Sequence, residues 1–523
     1  MQGARAATDQ EHRMGLLASA RLYPKAILFS MIMSLGIVME GYDTALLGNF
    51  YAQPAFQLKF GHPAKNGTNQ VSAPWQAGLS NGAAIGEILG LLIGGLLAER
   101  FGYRKTLIGC LIMLIGTIFI CFFAVDLGML FAGEVLCGLP WGAFQTLTTT
   151  YAADVTPVHL RPVLTSYVNL CWVAGQLIAS GVLRGFVNNT SQWGWRIPYA
   201  IQWVWPVPIL IGILFAPESP WWLVRKGRLD EARKTLLGLT SPRNTAFNVE
   251  DTIAMIVHTN EYERQISEGT SYWDCFKGTD ARRTEIACVV WMAQVSCGIW
   301  FGGNIGYFLE QAGFPDSKAF DFGVGENAIG FCGTILSWYV MTLVGRRTLF
   351  VGGLATLFTI LITIGFLGIP QVNESIGYAQ GALLCLYVFT YDITIGPTVY
   401  SLVSEMPSTR LRIKTVVIAR NCYNIASICA NELNAPILNP TAWNLRGKGG
   451  FVWCGFCLAS LVWAYFRLPE PKGLTSEELD VLFENKVPAR QFSKTKVDPY
   501  SLNQGAVEIN NVEKYEAAAS MKY

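Results

Sequence analysis

Apolar stretches long enough to cross a bilayer recur through this chain, and few folds can house them. A membrane-spanning helix needs roughly 20 apolar residues. Stretches that meet this fall at about 26–50, 75–98, 106–125, 129–151, 163–186, 195–216, 284–310, 325–343, 347–369, 376–403, 413–437 and 449–468. In hydrocarbon, backbone groups must bond within the protein, which leaves helices and closed barrels. Runs of this length point to helices. The expectation is an all-α membrane protein with twelve spans: six, a polar insert, then six more. The eleventh span fits least well, since it carries Glu432 and Pro436.

Composition agrees and narrows the function. Only 15% of the 523 residues are charged, against about 25% in soluble domains. A net charge of +2 leaves no basic footprint for nucleic acid. The four histidines are far apart, so no metal site is expected. Most of the thirteen cysteines lie in apolar runs and read as packing residues. No P-loop or nucleophile elbow is present, so neither an enzyme nor a cofactor is expected. Residues 1–21 lack the apolar core of a signal peptide, so insertion would rely on the first span.

Charge sets the orientation. Loops after even-numbered spans hold Arg100, Arg104 and Lys105, then Arg225 to Lys234, then Arg346 and Arg347. Basic loops face the cytoplasm. The sequons at Asn66, Asn188, Asn189 and Asn373 all fall in the opposite loops, where glycosylation would occur. Both termini are therefore expected inside, most simply at the plasma membrane. The expected organisation is a cytoplasmic segment (1–25), a six-helix half (26–216), a helical linker (217–283), a second half (284–468) and a cytoplasmic tail (469–523). Apolar spacing in the linker predicts helices over Leu229 to Leu239 and Ile253 to Ile266, forming a plug between the halves. The tail after 484 reads as polar and disordered.

The halves echo each other. Pro217-Glu218-Ser219-Pro220 and Pro469-Glu470-Pro471 close their last spans, 252 positions apart (470 − 218). Asp154 and Arg161 recur as Glu405 and Arg412, each offset by 251 (405 − 154). Gly102-Tyr103-Arg104 recurs as Gly345-Arg346-Arg347, offset by 243 (345 − 102). Internal duplication of this kind marks transporter folds.

These motifs carry a resemblance. Gly95-Leu-Leu-Ala-Glu99-Arg100-Phe-Gly102-Tyr-Arg104-Lys105 resembles the loop between spans 2 and 3 in the major facilitator superfamily. Pro217-Glu-Ser-Pro-Trp-Trp-Leu, Pro469-Glu-Pro-Lys-Gly and Gly396-Pro397-Thr-Val-Tyr400-Ser-Leu-Val-Ser-Glu405 resemble signatures of its sugar porter family. Glu40-Gly-Tyr-Asp43-Thr-Ala-Leu-Leu-Gly and Cys137-Gly-Leu-Pro-Trp-Gly-Ala-Phe-Gln are similar to fungal α-glucoside (maltose-type) proton symporters. There are departures from the hexose carriers. Glu99 replaces an Asp, Glu134 an Arg, Trp300 an Asn and Tyr400 a Trp, while Thr342 and Leu343 replace the second gate's charges. They suggest a pocket reshaped for a different glycoside.

An ionisable group in mid-membrane costs at least about 2.5–3.5 kcal/mol and is rarely idle. Glu40 and Asp43 share a face of span 1, Glu134 lies in span 4 and Arg420 in span 11. Three acids against one Arg means that at least one acid can hold a proton, as proton symport requires. The resemblance implies the same role for acids in spans 1 and 4 and for the span-11 Arg. Sugar hydroxyls need amides and aromatic faces. The candidates are Gln176, Gln294, Trp300, Asn304, Tyr307, Tyr400, Asn421 and Asn424. Gln145 and Asp392 read as helix-packing residues. Glu99, Arg100, Arg104, Asp154, Arg161, Glu218, Arg346, Arg347, Glu405 and Arg412 sit at cytoplasmic span ends, where opposite charges can form a gate.

The expected function is proton-coupled uptake of an α-glucoside or other oligosaccharide by alternating access. The expected partners are a sugar, a proton and the lipid bilayer, with the protein a monomer. The alternatives are a hexose facilitator, a sugar sensor and an exporter of a polar metabolite.

Overall fold

The computed structural model describes residues 16–63, 69–157, 160–241, 248–267, 271–370, 374–408, 411–472, 474, 476–496 and 510–511. The side chains of Arg161 and Thr342 lie outside the description.

Twelve long helical spans follow the apolar stretches. Spans 1 to 6 are Pro24–Phe50, Ala73–Phe101, Tyr103–Phe122, Leu127–Val155, Arg161–Phe186 and Trp193–Phe215. Span 7 comes in three pieces: Gly278–Ser296, Ile299–Gly302 and Ile305–Gln311. Spans 8 to 12 are Asp316–Leu343, Arg346–Leu367, Ser375–Glu405, Arg412–Leu438 and Arg446–Arg467. Among the described residues, ten helices are long and apolar enough to cross a membrane, by length and composition. Spans 8 and 11 are long but more polar, because each contributes polar side chains to the protein's interior.

Small residues let the spans of one half approach closely, as membrane helices require. A Cβ at Gly41 of span 1 would lie 2.0 Å from the Trp172 carbonyl of span 5. Span 7 breaks at Gly298, whose φ of +96° is left-handed and suits glycine. Span 10 breaks near Thr394, before Gly396-Pro397. Gln294 Nε2 donates to the Gly396 carbonyl at 2.9 Å, tying the two breaks together.

The repeated Pro-Glu motifs have a specific structural role. The start of span 3 leaves N–H groups without intrahelical partners. Glu218 Oε1 accepts from the Tyr103 N–H at 2.9 Å, and both its oxygens lie near the Arg104 N–H. Glu470 does the same for span 9, accepting from the Arg346 N–H at 2.9 Å and the Arg347 N–H at 3.0 Å. A carboxylate is well placed at the positive end of a helix dipole. Burial nonetheless pushes the Glu218 carboxyl up from its ordinary range, and the N–H groups pull it partly back. The arginines mirror each other as well. Arg104 donates to the Leu214 carbonyl, and Arg347 Nη2 to the Tyr465 carbonyl at 2.9 Å. Each half is thus cornered by its own last span.

The insert forms helices Pro220–Arg225, Leu229–Leu239 and Val249–Ser267. Leu236, Leu239, Ile253 and Ile256 are buried among them. Arg233 bonds Asp230 at 2.6 Å and Glu250 at 2.5 Å, which holds the Glu250 carboxyl below its usual range. The insert docks on the first half. Trp222 Nε1 donates to the Glu99 carbonyl at 3.0 Å, and the Ser241 N–H to the Leu22 carbonyl at 2.7 Å.

The start of the tail departs from expectation, while residues 497–509 and 512–523 lie outside the described residues. Order continues past 484 to the helical turn Ala489–Lys494. Two apolar residues in that polar stretch, Val487 and Phe492, are buried. Arg282, at the start of span 7, stands 5.3 Å from the Phe483 ring and 5.9 Å from Phe492, and donates to the Val487 carbonyl at 3.1 Å. Arg490 stands 4.2 Å from the Tyr465 ring of span 12. Cation–π contacts and two apolar anchors hold a segment whose average polarity suggested disorder.

In the second half a Cβ at Gly345 would lie 2.1 Å from Glu470 Oε2. Gly345→Ala and Glu470→Ala should each lower the melting temperature of the detergent-purified protein. Their double variant should lose less than the sum, since removing the carboxylate also removes the clash. Strict additivity would disconnect the two residues.

Candidate functional site

A cavity opens between the halves, the concave kind of place where small molecules bind. Spans 1 and 2 supply Asp43, Thr44, Gln76 and Ser80; span 11 supplies Asn431 and Asn434. The break in span 7 turns Trp300, Asn304 and Tyr307 into the same wall. Asn304 and Asn434 both donate to the Trp300 carbonyl, at 2.8 and 2.9 Å, which positions the indole. Tyr307 accepts from Gln76 Nε2 at 3.1 Å and packs edge-on to Tyr51, centroids 6.3 Å apart. The wall pairs amides with aromatic faces, the combination a polyhydroxylated ring requires.

Of the expected sugar residues, Trp300, Asn304 and Tyr307 line this cavity and the others do not. Gln294 is spent on the Gly396 carbonyl. Tyr400 packs edge-on to Trp291 at 5.0 Å, beside Arg420. Gln176 is half-buried on span 5, and Asn421 and Asn424 sit lower on span 11. Both amide atoms of the buried Asn424 lack a hydrogen-bond partner among the described residues. The sequence reading missed Tyr51, Gln76, Ser80, Asn431 and Asn434. The polar run Asn431-Glu432-Leu433-Asn434 was visible, but only as a defect in span 11.

Two carboxyl clusters lie at and below the cavity. Asp43, in the cavity wall, accepts from Gln202 Nε2. The fully buried Glu134 accepts from the Tyr199 hydroxyl at 3.0 Å and lies within hydrogen-bonding reach of Asp43. Asp43 Oδ2 and Glu134 Oε2 are buried without a donor among the described residues.

The second cluster joins the halves. Gln145 Nε2 donates to Glu40 Oε1 at 2.6 Å, and its Oε1 accepts from Arg420 Nε at 2.9 Å. The Arg420 guanidinium stands 4.7 Å from the Trp291 ring and 4.5 Å from Tyr423. Glu87 of span 2 lies beside Gln145, near enough to Arg420 for their charges to interact. Gln145 is therefore a bridge across the interface, not the simple packing residue expected. Glu87 is an acid that the sequence reading passed over, although an acid inside span 2 is as conspicuous as Glu40. Asp392 is buried on span 10, close to Gly330 of span 8.

We call the end of the bundle that holds the insert and tail the basic side, and the opposite end the far side. Hydrogen bonds between the halves cluster toward the far side. Asn81 Nδ2 donates to Glu432 Oε1 at 2.8 Å, and Asn431 Nδ2 to Asn81 Oδ1 at 3.0 Å. Asn327 reaches Ser180 at 2.9 Å, and Arg184 meets Asp321 at 2.5 Å.

The charges assigned to a gate lie on the basic side, and the partners found for them belong to their own halves. Asp154 accepts from the Ser219 hydroxyl at 2.6 Å, with Arg225 4.0 Å away. Arg346 pairs with Glu405 at 3.3 Å. Glu99 and Arg100 are exposed, and Arg412 is half-buried at the start of span 11. Asn188 is exposed after span 5, while Asn189 is half-buried and accepts from the Ser191 N–H at 3.0 Å. Asn66 and Asn373 lie outside the described residues.

Known proteins bear on this arrangement. The family described as "Sugar (and other) transporter" matches residues 29–483. The maltose permease MAL61 of Saccharomyces cerevisiae is 43% identical over 517 residues, which is 98% of this chain and 84% of the permease. A general alpha-glucoside permease of the same yeast is 42% identical over 502 residues, 95% of this chain and 81% of that protein. An inward-open structure of the xylose transporter XylE from E. coli superposes with a TM-score of 0.70 at 20% identity, covering 87% of this chain and 99% of that one. At that identity the likeness is one of fold.

Gln145→Leu should break the Glu40–Gln145–Arg420 bridge. Losing hydrogen bonds to charged groups costs about 1.5–3 kcal/mol each, read as a lower melting temperature than the wild type. An unchanged melting temperature would show that the bridge carries no such weight.

Proposed function

Since the chain belongs to the sugar (and other) transporter family, we propose that it takes up a sugar together with a proton, by alternating access. The substrate class is an α-glucoside, in keeping with the maltose and alpha-glucoside permeases that it resembles. The observation that carries the reading is the position of Asp43. It faces the sugar cavity and also contacts the buried Glu134. One carboxyl can thus sense both the sugar and the proton.

The roles follow from the chemistry. Asp43 and Glu134 hold a proton between them, oriented by Gln202 and Tyr199. Glu40 and Glu87 compete for Arg420 through Gln145. Protonating either acid releases the guanidinium to the other and loosens the tie between the halves. Trp300 and Tyr307 stack on the sugar ring, and Asn304, Asn431, Asn434 and Gln76 bond its hydroxyls. Gln176, Gln294, Tyr400, Asn421 and Asn424 support the walls from behind or join the pathway in another state of the cycle. The helix-end charges from Glu99 to Arg412 keep each half rigid while the two rock. The membrane potential adds about 2.3 kcal/mol per charge per 100 mV.

The basic side faces the cytoplasm by the positive-inside rule, with both termini inside. The protein acts as a monomer in the plasma membrane, and Asn188 is the exposed sequon among the described residues.

Uptake in a yeast lacking its own sugar carriers, offered maltose, sucrose, trehalose, cellobiose, lactose and glucose in turn, tests the substrate class. Uptake of glucose alone would overturn it. Sugar addition should alkalinise the medium, and a constant pH during uptake would remove proton coupling. Asp43→Asn should abolish accumulation while leaving sugar exchange partly intact. Wild-type accumulation in that variant would take Asp43 out of the mechanism.

A further inference from the structure

A half-buried acid on the far side takes no part in the scheme above. Glu310 lies on the outer piece of span 7, Ile305–Gln311, on the far side. Its Oε1 accepts from Gln57 Nε2 at 3.1 Å and from Gln70 Nε2 at 3.3 Å. Its Oε2 accepts from Gln311 Nε2 at 2.9 Å. Gln57 and Gln70 belong to the other half. The first is on the short helix Pro54–Phe60, the second on the hairpin that pairs His62–Pro63 with Asn69–Gln70. Gln57 is itself fixed to the Tyr51 carbonyl at 2.7 Å. Glu310 thus ties Gln57 and Gln70, in the segment after span 1, to span 7.

The same contacts run on into the cavity. Gln70 offers its Oε1 to the Tyr307 hydroxyl at 3.5 Å, and that hydroxyl accepts from Gln76 at 3.1 Å. Tyr307 and Gln76 are cavity residues. A sugar that takes over the Tyr307 hydroxyl competes with Gln70 and so reaches Glu310 through one amide.

We propose that Glu310 is the latch of the extracellular gate, a carboxylate that holds Gln57 and Gln70 of the first half on span 7 beside the sugar cavity and releases them on taking up a proton. The inference rests on proton-coupled uptake with the far side outside. An ionised carboxylate only accepts hydrogen bonds, so three amide donors suit it. Charge makes such bonds roughly twice as strong as neutral ones. A protonated carboxyl turns one oxygen into a donor that faces amide N–H groups, and the clasp is then mismatched. External acid loosens the outer gate, the direction a proton-driven importer needs. The other titratable groups near the clasp are Asp316 at the start of span 8, the Tyr307 phenol, and His62, which pairs across the hairpin with Gln70.

The test places a cysteine in the cavity, Leu47→Cys, in the full chain in yeast cells. It reads labelling by a membrane-impermeant thiol reagent from outside, less the labelling of the chain without that cysteine. Glu310→Gln should raise the labelling rate severalfold near neutral pH. The ratio of variant to parent should fall toward one as the medium is acidified, a ratio in which the pH dependence of the thiol itself cancels. His62→Ala and Asp316→Asn should each keep the parent's pH response. Gln57→Leu combined with Gln70→Leu removes the donors and leaves the acid. It should also raise labelling near neutral pH, and it replaces Glu310→Gln if that chain fails to reach the surface. Labelling equal to the parent in these variants would overturn the latch. Sugar uptake by the parent chain is measured in the same cells; its absence would sink the transport reading whatever the labelling shows.

Discussion

A charge in hydrocarbon must be matched, and that requirement organises the interior of this protein. The first half places Glu40, Asp43, Glu87 and Glu134 in its spans, while Arg420 of the second half is the cation near Glu40 and Glu87, and Asp43 and Glu134 have each other. The shortfall cannot be made good by water in a close-packed bundle. It is met by neutral go-betweens: Gln145 between Glu40 and Arg420, Gln202 on Asp43, Tyr199 on Glu134. Amides and phenols can satisfy either protonation state, and this separates a proton-handling interior from a fixed lattice of ion pairs.

The broken helices answer a related demand. A continuous helix hides its backbone groups, whereas a broken one offers carbonyls to its neighbours. The Trp300 carbonyl, just past the Gly298 break, receives Asn304 and Asn434. The Gly396 carbonyl, at the break in span 10, receives Gln294. Amides that looked like sugar ligands are partly committed to these openings. The cavity wall is accordingly built from both kinds of residue, those that face the ligand and those that repair the backbone behind it.

This explains what could be read in the sequence. Twelve spans and the duplicated ends follow from hydrophobic length and repeated motifs, which depend on nearby residues alone. Trp300, Asn304 and Tyr307, read as sugar residues, line the cavity, and so does Asp43, read as a proton acid. Gln294, Asn421 and Asn424 do not, because a helix presents an amide to one of several directions and the sequence does not say which. Gln145 was misjudged since its partners, Glu40 and Arg420, are separated from it by 105 and 275 positions. Tyr51, Gln76 and Ser80 lie near span ends, where polarity reads as surface until the far side is seen to be closed. The order beyond residue 484 depends on Arg282, which belongs to another part of the chain.

The capping glutamates set an order of assembly. Span 3 begins at Tyr103, but the carboxylate that closes its first turn lies 115 residues further on. Until Glu218 has been synthesised and its span inserted, the positive end of that helix has only water or lipid headgroups for partners. The second half repeats the wait over 124 residues, from Arg346 to Glu470. Each half therefore locks from its last span backward. A chain cut between Arg467 and Glu470 would keep all six spans of its second half and leave one corner unfastened, so the last few residues after a span can matter as much to a half as the span itself.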